Sequence, residues 1–478
     1  MNKKVLHISS ECYPAAKAGG MGDVVGALPI YLPRVGYDAS VVIPKYANKW
    51  FKSQSYKQVA KGSFLLGAEK VKYTVQTLEK SGLQFPFYCI DIPGKFDRES
   101  IYLGADGHGY SDEPQRNIAF QTAVCDWLLK GKHTFDVLHC HDHMTGLILF
   151  MLKYCTRYQS LSEIPTVFTI HNGQYKGEFD WQEVAHLLPP YKSKHDGVLD
   201  WDHKINSLAT AVKCAWKVNT VSPQYMKEIR RDAGRLTQLY QMEGHKCSGI
   251  LNGVDVDLWD PSTDSFLDHK LVKSWKTFKS KNKRALLQQF DLKSRRPLIG
   301  FIGRLTDQKG ADLLADAIDQ LLSQSTKVSF VILGTGDKQI EKQLKTLEKK
   351  YPRSVKAYIA YDEAVARLIY AGSDYLIMPS RFEPCGLNQL FAMRYGSIPI
   401  VATVGGLVDT VPDINIGGNG ITFSPNSSRQ IHDAVIRSID LYDDKSAFAA
   451  LIDKISSLDY SWEYSAKEYA TLYLSIIS

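Results

Sequence analysis

Short runs rich in β-branched and apolar residues alternate with longer helical patterns along almost the whole chain. In the first half, the predicted strands are Val5–Ser9, Ser40–Ile43, Phe85–Asp91, Val137–His139, Thr166–Ile170 and Lys217–Val221. The helical patterns between them include Asp23–Leu32, Asn117–Leu129 and Gly146–Tyr154. Because such alternation is typical of parallel strands joined by crossover helices, it predicts an α/β fold.

The alternation restarts after a turn and a polar, lysine-rich stretch. The second series of predicted strands is Leu298–Ile302, Ser329–Leu333, Val355–Ile359, Tyr375–Met378 and Ile398–Ala402. The helices predicted between them are Ala311–Leu322, Ile340–Tyr351, Glu363–Ala371 and Asn388–Tyr395.

A chain of 478 residues is too long for one ordinary core. We predict two doubly wound, Rossmann-like domains of parallel sheet, over residues 1–255 and 262–460, facing each other across a deep cleft. The last segment, Trp462 to Ser478, is predicted to form one helix. Ligands in such sheets bind beyond the carboxyl ends of the strands, so residues that follow strands are the candidate site residues.

The balance of charges excludes some classes of function. The net charge of +7 comes from 58 basic and 51 acidic residues, and it is too diffuse to indicate nucleic-acid binding. The densest basic run, Lys276–Arg284, has helical spacing and indicates a solvated helix face. No uncharged segment has the length of a membrane span, and the first apolar run is too short for a signal peptide.

The eight cysteines are scattered, without a Cys-x-x-Cys pair or the spacing of a zinc ribbon. This pattern favours reduced thiols and predicts a cytoplasmic protein. Nothing in the sequence indicates the oligomeric state.

The segment Pro379–Leu387 lies where a predicted strand gives way to a predicted helix. It combines a carboxylate, Glu383, with Cys385, Gly386 and Leu387. Backbone N–H groups at such a junction attract an anion, and the glycine lets a ligand approach the main chain. A carboxylate repels phosphate but accepts hydrogen bonds from hydroxyl groups, so the segment predicts a site for a sugar phosphate or a nucleotide sugar.

A second loop, Gly303–Gly310, has two cations five residues apart, Arg304 and Lys309. Cations at the start of a helix oppose its dipole, so an anionic ligand explains them better than a solvated surface does. Together they suit both phosphates of a diphosphate and the charge that grows on it as it leaves. The loop is not a P-loop, because Gln308 stands where that motif requires glycine.

The first predicted strand leads into a glycine-rich loop that contains Lys17, Gly19, Gly20 and Asp23. We expect exposed amides in this loop, Lys17 within reach of a phosphate, and Asp23 either capping the next helix or accepting from a hydroxyl. The alternative is a glycine-rich turn with a solvated lysine. Its place at the carboxyl end of a strand favours a functional site.

The run from His139 to His143 resembles a metal cluster, because alternate residues of an extended chain face one way. No second group of ligands with matching spacing lies nearby, so we expect no bound metal. We predict instead that Asp142 is a hydrogen-bonding or acid–base group.

Four further residues follow predicted strands or turns. His171 and Asn172 directly follow a strand, which favours a contact with a sugar over a structural role. Tyr361 either stacks on a base or packs against the protein. Asn252 either contacts ligand or is a turn residue with positive φ.

Taken together, these motifs resemble those of the glycogen and starch synthases, which are retaining glycosyltransferases of the GT-B fold. The resemblance covers nearly the whole chain and is carried by Lys17-Ala-Gly-Gly20, His141-Asp142, His171-Asn-Gly173, Gly249-Ile-Leu-Asn-Gly-Val-Asp255, Arg304 with Gln308-Lys309-Gly310, Arg381-Phe-Glu-Pro-Cys-Gly-Leu387 and Gly405-Gly-Leu-Val-Asp-Thr-Val411. It implies transfer of glucose from a nucleoside diphosphate glucose to the non-reducing end of an α-1,4-glucan, with retention and without a metal or other cofactor.

The resemblance also implies roles for individual residues. Arg304 and Lys309 bind the diphosphate and Glu383 binds the glucose hydroxyls. By the same resemblance, His171, Asp23 and Asn252 contact glucose. Asp142 lies near the acceptor, Tyr361 stacks on the base, and Lys17 reaches the donor. The main-chain carbonyl of His171 stabilises the oxocarbenium-like centre, and the last helix crosses back onto the first domain.

The leading hypothesis is a glycogen synthase that uses ADP-glucose. UDP-glucose as the donor is an alternative, because the packing of the base pocket cannot be predicted. A non-catalytic glucan-binding or scaffolding protein is a hypothesis from a different class, and an epimerase or small-acceptor transferase of the same fold is another. The non-catalytic protein should lack a phosphate-binding cation or Glu383. The epimerase or small-acceptor transferase should lack both the lysine–glycine loop, Lys17–Asp23, and the turn Asn252–Asp255, which are present in this chain.

Overall fold

The protein is described by a computed structural model over residues 2–80, 82–104, 107–131, 134–192, 197–293 and 297–477. The strands are β1 Lys3–Ile8, β2 Tyr37–Pro44, β3 Tyr56–Leu66, β4 Glu69–Leu78, β5 Phe87–Asp91, β6 Val137–His141, β7 Thr166–Ile170, β8 Glu178–Asp180, β9 Asp200–Trp201, β10 Lys204–Asn206, β11 Lys217–Thr220, β12 Cys247–Gly249, β13 Leu298–Ile302, β14 Ser329–Gly334, β15 Val355–Ile359, β16 Tyr375–Met378, β17 Ile398–Ala402 and β18 Ile421–Phe423.

The helices alternate with these strands. They are α1 Gly20–Tyr31, α2 Lys49–Lys52, α3 Glu113–Lys130, α4 His143–Tyr154, α5 Trp181–Val184, α6 Ser207–Cys214, α7 Pro223–Arg231, α8 Thr237–Met242, α9 Trp275–Gln289, α10 Ala311–Ser323, α11 Lys338–Lys350, α12 Glu363–Gly372, α13 Asn388–Arg394, α14 Gly405–Thr410, α15 Ser428–Asp443, α16 Lys445–Ser456 and α17 Trp462–Leu474. In the part of the chain that the structure describes, no helix has both the length and the apolar character needed to cross a membrane.

The chain divides into two compact units. The first comprises Met1–Val221, Met226–Gly253 and Trp462–Ser478, and the second comprises Ser222–Tyr225 and Val254–Ser461.

The first unit is built on a nine-stranded sheet in the order β12-β11-β7-β6-β1-β2-β5-β4-β3. Its strands are parallel from β12 to β5, as predicted, but β4 runs antiparallel to both β5 and β3. The hairpin of β3 and β4 was not predicted, because many of its residues are exposed and polar and it lacks the apolar run of a central strand. A separate antiparallel sheet in the order β8-β10-β9 was not predicted either.

Helix α17 belongs to the core of the first unit. Trp462, Ala466, Tyr469 and Tyr473 are each at most 3% exposed and cluster with apolar residues of β1, β2 and α1. The end of the chain therefore supplies both apolar surface and two tyrosine hydroxyls to the interior of the first unit.

The second unit is built on six parallel strands in the order β15-β14-β13-β16-β17-β18. The first five of these along the chain were predicted to within a residue at each end. The order is the one typical of dinucleotide-binding folds, and the sequence order of the strands reverses between β13 and β16. Ligands in such sheets bind beside that reversal, at the carboxyl ends of the strands.

The lysine-rich run lies in α9, so its helical spacing is confirmed, but the prediction of a solvated face is wrong at two positions. Lys279 donates to the carbonyl groups of Tyr370 and Tyr395, both at 3.2 Å, and to Ser397 Oγ at 2.8 Å. Burial lowers the pKa of Lys279 to about 7. Lys283 donates to Asp374 at 2.6 Å, so the inner face of α9 is held by buried polar contacts.

Candidate functional site

The carboxyl ends of β13 and β16 bring a cation and a carboxylate together in the second unit. Lys309 Nζ donates to Glu383 Oε2 at 2.5 Å, and Ser380 Oγ donates to the same oxygen at 3.0 Å. Glu383 is only 8% exposed. The loop after β13 and the loop after β16, predicted separately as parts of an anionic sugar site, therefore meet in one place.

Arg381 fixes the register of these two loops. Its backbone N–H donates to the Gln308 carbonyl at 2.9 Å. Its guanidinium donates to both carboxylate oxygens of Asp312, each at 2.7 Å, and also to the Asp307 carbonyl. Gly310 has φ of +67°, and a Cβ there would lie 2.0 Å from the Pro379 carbonyl oxygen. Only glycine allows this approach, so Gly310 is needed to hold Lys309 beside Glu383.

The main chain at Glu383 is supported from behind by α14. The N–H of Gly406 donates to the Glu383 carbonyl at 3.1 Å. Gly405 has φ of +45°, and a Cβ on it would lie 2.0 Å from the same oxygen. The paired glycines at the start of α14 are therefore a structural requirement of the carboxylate loop.

The other predicted residues of the second unit differ in exposure. Arg304 is exposed, and its Nη2 donates to Gln308 Oε1 at 2.9 Å. Tyr361 is 91% exposed, which rules out the alternative that it packs against the protein. The side chain of Cys385 is buried, and Gly386 has φ of +75°, so a ligand beside Cys385, Gly386 and Leu387 would meet mainly backbone.

In the first unit, the glycine-rich loop is organised by a buried glutamate. Glu11 Oε2 accepts from the N–H groups of Ala18 and Gly19 at 2.6 and 2.9 Å, and Tyr102 donates to Glu11 Oε1 at 2.6 Å. The prediction of exposed amides is therefore wrong for Ala18 and Gly19. In contrast, no atom lies within 4 Å of a Cβ built on Gly19 or Gly20, so space remains in front of the loop.

Lys17 and Asp23 form an ion pair, with Lys17 Nζ 2.7 Å from Asp23 Oδ1. The prediction that Asp23 caps the helix is wrong, because α1 begins at Gly20 and Asp23 lies within its first turn. Both side chains are about one-third to two-fifths exposed, at 40% and 34%. They remain open to a polar ligand.

Asp142 joins the ends of β6 and β7. Its Oδ1 accepts from the N–H groups of His171 and Asn172 at 2.7 and 3.4 Å, and its own φ is +55°. Desolvation raises the pKa of Asp142 to about 7, while His143 and the two N–H donors act in the opposite direction. A carboxyl group with this pKa exchanges its proton near neutral pH, which suits the predicted acid–base or hydrogen-bonding role.

The histidines of the run 139–143 do not converge as their alternation suggested. His143 lies in α4 with its Nε2 3.8 Å from Glu113, and His7 of β1 takes its place beside His139 and His141. The rings of His139 and His141 stack at 4.3 Å between centroids. The alternation alone allowed His139, His141 and His143 to converge, but only His139 and His141 lie together.

His7, His139 and His141 have nitrogens within 4.8 Å of one another, close enough to bind one metal ion. However, His139 Nδ1 lies 2.7 Å from Tyr473 Oη and its Nε2 lies 2.6 Å from Thr169 Oγ1. Both nitrogens of His141 are likewise within 3.0 Å of other imidazoles. A metal would have to break these bonds, so the arrangement fits a hydrogen-bonded cluster better than a metal site.

Asn252 follows β12 and is 5% exposed. It is not among the described residues with positive φ, so the alternative of a left-handed turn residue is wrong. Its Oδ1 is buried and has no partner among the described residues. A buried amide oxygen without a donor is costly, which makes Asn252 a candidate for accepting a hydrogen bond from a ligand.

Comparison with known proteins decides the family. Residues 4–249 match the starch synthase catalytic domain, and residues 282–450 match the glycosyl transferases group 1. The glycogen synthase of Flavobacterium johnsoniae is 43% identical over 476 residues, which cover 99% of each chain. The chain belongs to the glycogen and starch synthase family. The resemblance seen in the sequence is confirmed, and family membership makes the protein a glycosyltransferase.

Two further relatives agree with this assignment. The glycogen synthase of Streptococcus sanguinis is 36% identical, over 99% of this chain and 100% of its own. A solved structure of the catalytic domain of starch synthase IV from Arabidopsis thaliana, bound to ADP and acarbose, has a TM-score of 0.87 and 30% identity, with full coverage of both chains. The predicted α/β class and GT-B fold are confirmed.

Some residues that shape this synthase-family site were not predicted. Glu11 was not among the predicted site residues, although an acidic residue shortly before a glycine-rich loop is a signal for an acceptor of that loop's N–H groups. His7, within the first predicted strand, was not predicted to have a role either. The partnership of His7 with His141, at 3.0 Å, depends on β1 lying beside β6, which no local pattern reveals.

Proposed function

We propose that this chain transfers glucose, with retention, from ADP-glucose to the non-reducing end of an α-1,4-glucan. The curated relatives named above are glycogen synthases, and the solved starch synthase IV was bound to ADP and acarbose. The observation that carries the proposal is the 2.5 Å contact between Lys309 and Glu383 at the carboxyl ends of β13 and β16. It places an ammonium group that can donate hydrogen bonds to phosphate beside a carboxylate that can accept them from sugar hydroxyl groups.

The second unit supplies the chemistry of the leaving group. As the bond between glucose C1 and the diphosphate breaks, negative charge grows on the terminal phosphate oxygen. Lys309 has three N–H donors and uses one on Glu383, so two remain for phosphate oxygens. Arg304 adds a second cation, and both stabilise the charge more in the transition state than in the bound donor.

Glu383 orients the sugar that is transferred. Its carboxylate accepts from Lys309 and Ser380 through one oxygen, Oε2, which leaves Oε1 for glucose hydroxyl groups. Because Arg381 and the glycines at 310 and 405 fix the loops, this acceptor is positioned before the donor binds. Tyr361, which is 91% exposed, stacks on the base, and the backbone of Cys385, Gly386 and Leu387 lies beside the donor.

The first unit contributes further contacts to the proposed substrates. Lys17 binds the donor, and Gly19 and Gly20 leave room for it. Asp23, His171 and Asn252 contact glucose, together with Asn172, and the main-chain carbonyl of His171 stabilises the oxocarbenium-like centre.

Asp142 lies near the acceptor in this proposal. With a pKa of about 7 it accepts a hydrogen bond from the attacking hydroxyl group when ionised. No metal or cofactor has a role in the reaction.

The decisive experiment compares ADP-glucose with UDP-glucose in the incorporation of labelled glucose into glycogen, with and without excess chelator. We expect faster incorporation from ADP-glucose and no loss in chelator. Faster incorporation from UDP-glucose would overturn the choice of donor, and loss in chelator would overturn metal independence. Binding of glycogen without incorporation from either donor would indicate a non-catalytic glucan-binding protein.

A cytoplasmic location is part of the same proposal. It is supported by the eight cysteines, all of which lie in described segments and none of which forms a disulfide.

A further inference from the structure

Three buried imidazoles form a hydrogen-bonded chain across the first unit. His7 Nδ1 lies 3.0 Å from His141 Nε2, and His141 Nδ1 lies 3.0 Å from His171 Nε2. His7 and His141 are 0% exposed and His171 is 8% exposed. The chain therefore runs from β1 through β6 to the residue that follows β7, at a candidate glucose contact.

All three rings are neutral near pH 7. Burial lowers the pKa of His7 and of His171 to about 3. Burial, with neighbouring histidines as a smaller cause, holds the pKa of His141 well below its usual range. A neutral imidazole has one N–H group and one bare nitrogen, so each ring can donate once and accept once.

Because each neutral ring has a single N–H group, only two arrangements of the protons satisfy both hydrogen bonds. If His141 has its proton on Nε2, it donates to His7, and His171 must donate from its own Nε2. If His141 has its proton on Nδ1, it donates to His171, and His7 must donate from Nδ1. The second arrangement leaves the proton of His171 on Nδ1, so the two hydrogen bonds determine the tautomers of all three rings together.

The far end of the chain selects between these arrangements. His7 Nε2 is buried and has no partner among the described residues. In the first arrangement it would be an N–H donor without an acceptor, and in the second it is a bare nitrogen. Buried donors without partners are the rarer and costlier case, so the second arrangement is favoured.

A neighbouring histidine provides an internal comparison. Thr169 Oγ1 donates to Asn219 Oδ1 at 2.7 Å and lies 2.6 Å from His139 Nε2. Because the single hydroxyl proton of Thr169 is used on Asn219, His139 must donate from Nε2 and accept from Tyr473 at Nδ1. His139 is therefore expected to have the opposite tautomer to the three rings of the chain.

We propose that His7 and His141 are positioning residues that hold His171 as its Nδ1–H tautomer, so that His171 presents a hydrogen-bond donor to an oxygen of the glucosyl group. The identity of that ligand rests on the proposed function, whereas the tautomer rests only on the hydrogen bonds within the first unit. This assigns a role to two residues inside the sheet: His141, which hydrogen-bonds to His171, and His7, which hydrogen-bonds to His141.

Nuclear magnetic resonance of the full-length chain with ¹³C- and ¹⁵N-labelled histidine tests the tautomers directly, without substrate. The 13 histidines are assigned by single substitutions, including His7→Leu and, as a matched control, His245→Leu at an exposed position. We expect Nδ1–H at positions 7, 141 and 171 and Nε2–H at 139. Nε2–H or a charged ring at His171 would overturn the proposal.

Activity with two substitutions of His141 tests the consequence. In His141→Asn the amide nitrogen takes the place of Nδ1 and still donates to His171, whereas His141→Leu has no donor. We expect kcat/KM for the nucleotide sugar to fall roughly tenfold in His141→Leu and no more than about twofold in His141→Asn. Equal losses in both variants would mean that the ring only fills space, and would overturn the positioning role.

The two lines of testing separate this proposal from the proposed function. The predicted tautomers in a protein that elongates no glucan would uphold the hydrogen-bonded chain and refute the glucosyl transfer. Glucan elongation by a protein with Nε2–H at His171 would support the glucosyl transfer and refute the proposed tautomer.

Discussion

The buried histidines of the first unit should make it sensitive to mild acid. His7, His139, His141 and His171 are each at most 8% exposed, and burial lowers the pKa of each far below its usual value. The unfolded chain binds protons at these sites once the pH falls below about 6.5, whereas the folded chain does not. The contribution of these neutral rings to the free energy of unfolding is therefore fully present above about pH 6.5. It is lost as the pH falls towards the folded pKa values, which are about 3 for His7 and His171.

The expected size follows from the number of protons taken up on unfolding. Between about pH 7.5 and about pH 5.5, each imidazole that stays neutral in the folded state removes about 1.4 kcal/mol from the free energy of unfolding. Four such rings remove about 5 kcal/mol. Asp142 acts in the opposite direction, because its raised pKa of about 7 lets the folded state take up a proton first. Its contribution is at most about 2 kcal/mol, which leaves a net loss of about 3 kcal/mol.

Urea denaturation at the two pH values measures this loss. Since the two units can unfold in separate transitions, His7→Leu identifies the transition of the first unit, and His245→Leu at an exposed position is the matched control. In His7→Leu the loss between the two pH values should shrink by about 1.4 kcal/mol, because one proton-binding site is gone. A transition of the first unit that does not move between the two pH values would refute the neutral, buried state of these rings.

Three further outcomes are expected. Lys309→Gln should lower the turnover of glucosyl transfer by roughly 100-fold or more while the fold survives, with Lys349→Gln on the exposed face of α11 as the control; near-normal turnover would refute its role at the diphosphate. Gly20→Ala meets no protein atom within 4 Å, so the midpoint of unfolding should stay the same while the KM for the nucleotide sugar rises, and an unchanged KM would mean that the donor does not approach this loop. Arg367→Gln leaves Asp264 in the core without its 3.3 Å ion pair, and should lower the free energy of unfolding of the second unit by about 3 to 5 kcal/mol, measured in urea; a loss below about 1 kcal/mol would contradict this.

The parallel strands could be predicted because each is a short apolar run bounded by turn residues. In the second unit, β13, β15, β16 and β17 begin and end where the sequence indicated. The hairpin of β3 and β4 escaped because it is an edge element with exposed polar positions, and such strands lack a continuous apolar signal. The sequence therefore identifies central strands well and edge strands poorly, since burial on both faces produces the pattern.

The candidate site residues could be found one at a time, because each follows a strand or a glycine-rich turn. What could not be found is which of them touch. Lys309 and Glu383 are 74 residues apart and meet only because β16, and not another strand, adds to the open side of β13. In the same way, Asp142 meets the N–H of His171, 29 residues further on, because β6 and β7 are neighbours.

Buried polar residues that contact the candidate site residues could not be predicted, because in the sequence they occupy positions typical of core residues. His7 occupies a strand position where an apolar side chain would serve, and its neighbours in the chain say nothing about its partner. Only the pairing of β1 with β6 puts it opposite His139 and within 3.0 Å of His141. A polar residue in an otherwise buried strand must find a hydrogen-bonding partner across the sheet, because its desolvation otherwise destabilises the fold. Such a residue next to strands that end in catalytic candidates is therefore a signal for an internal network, although its partner is determined only by the order of the strands.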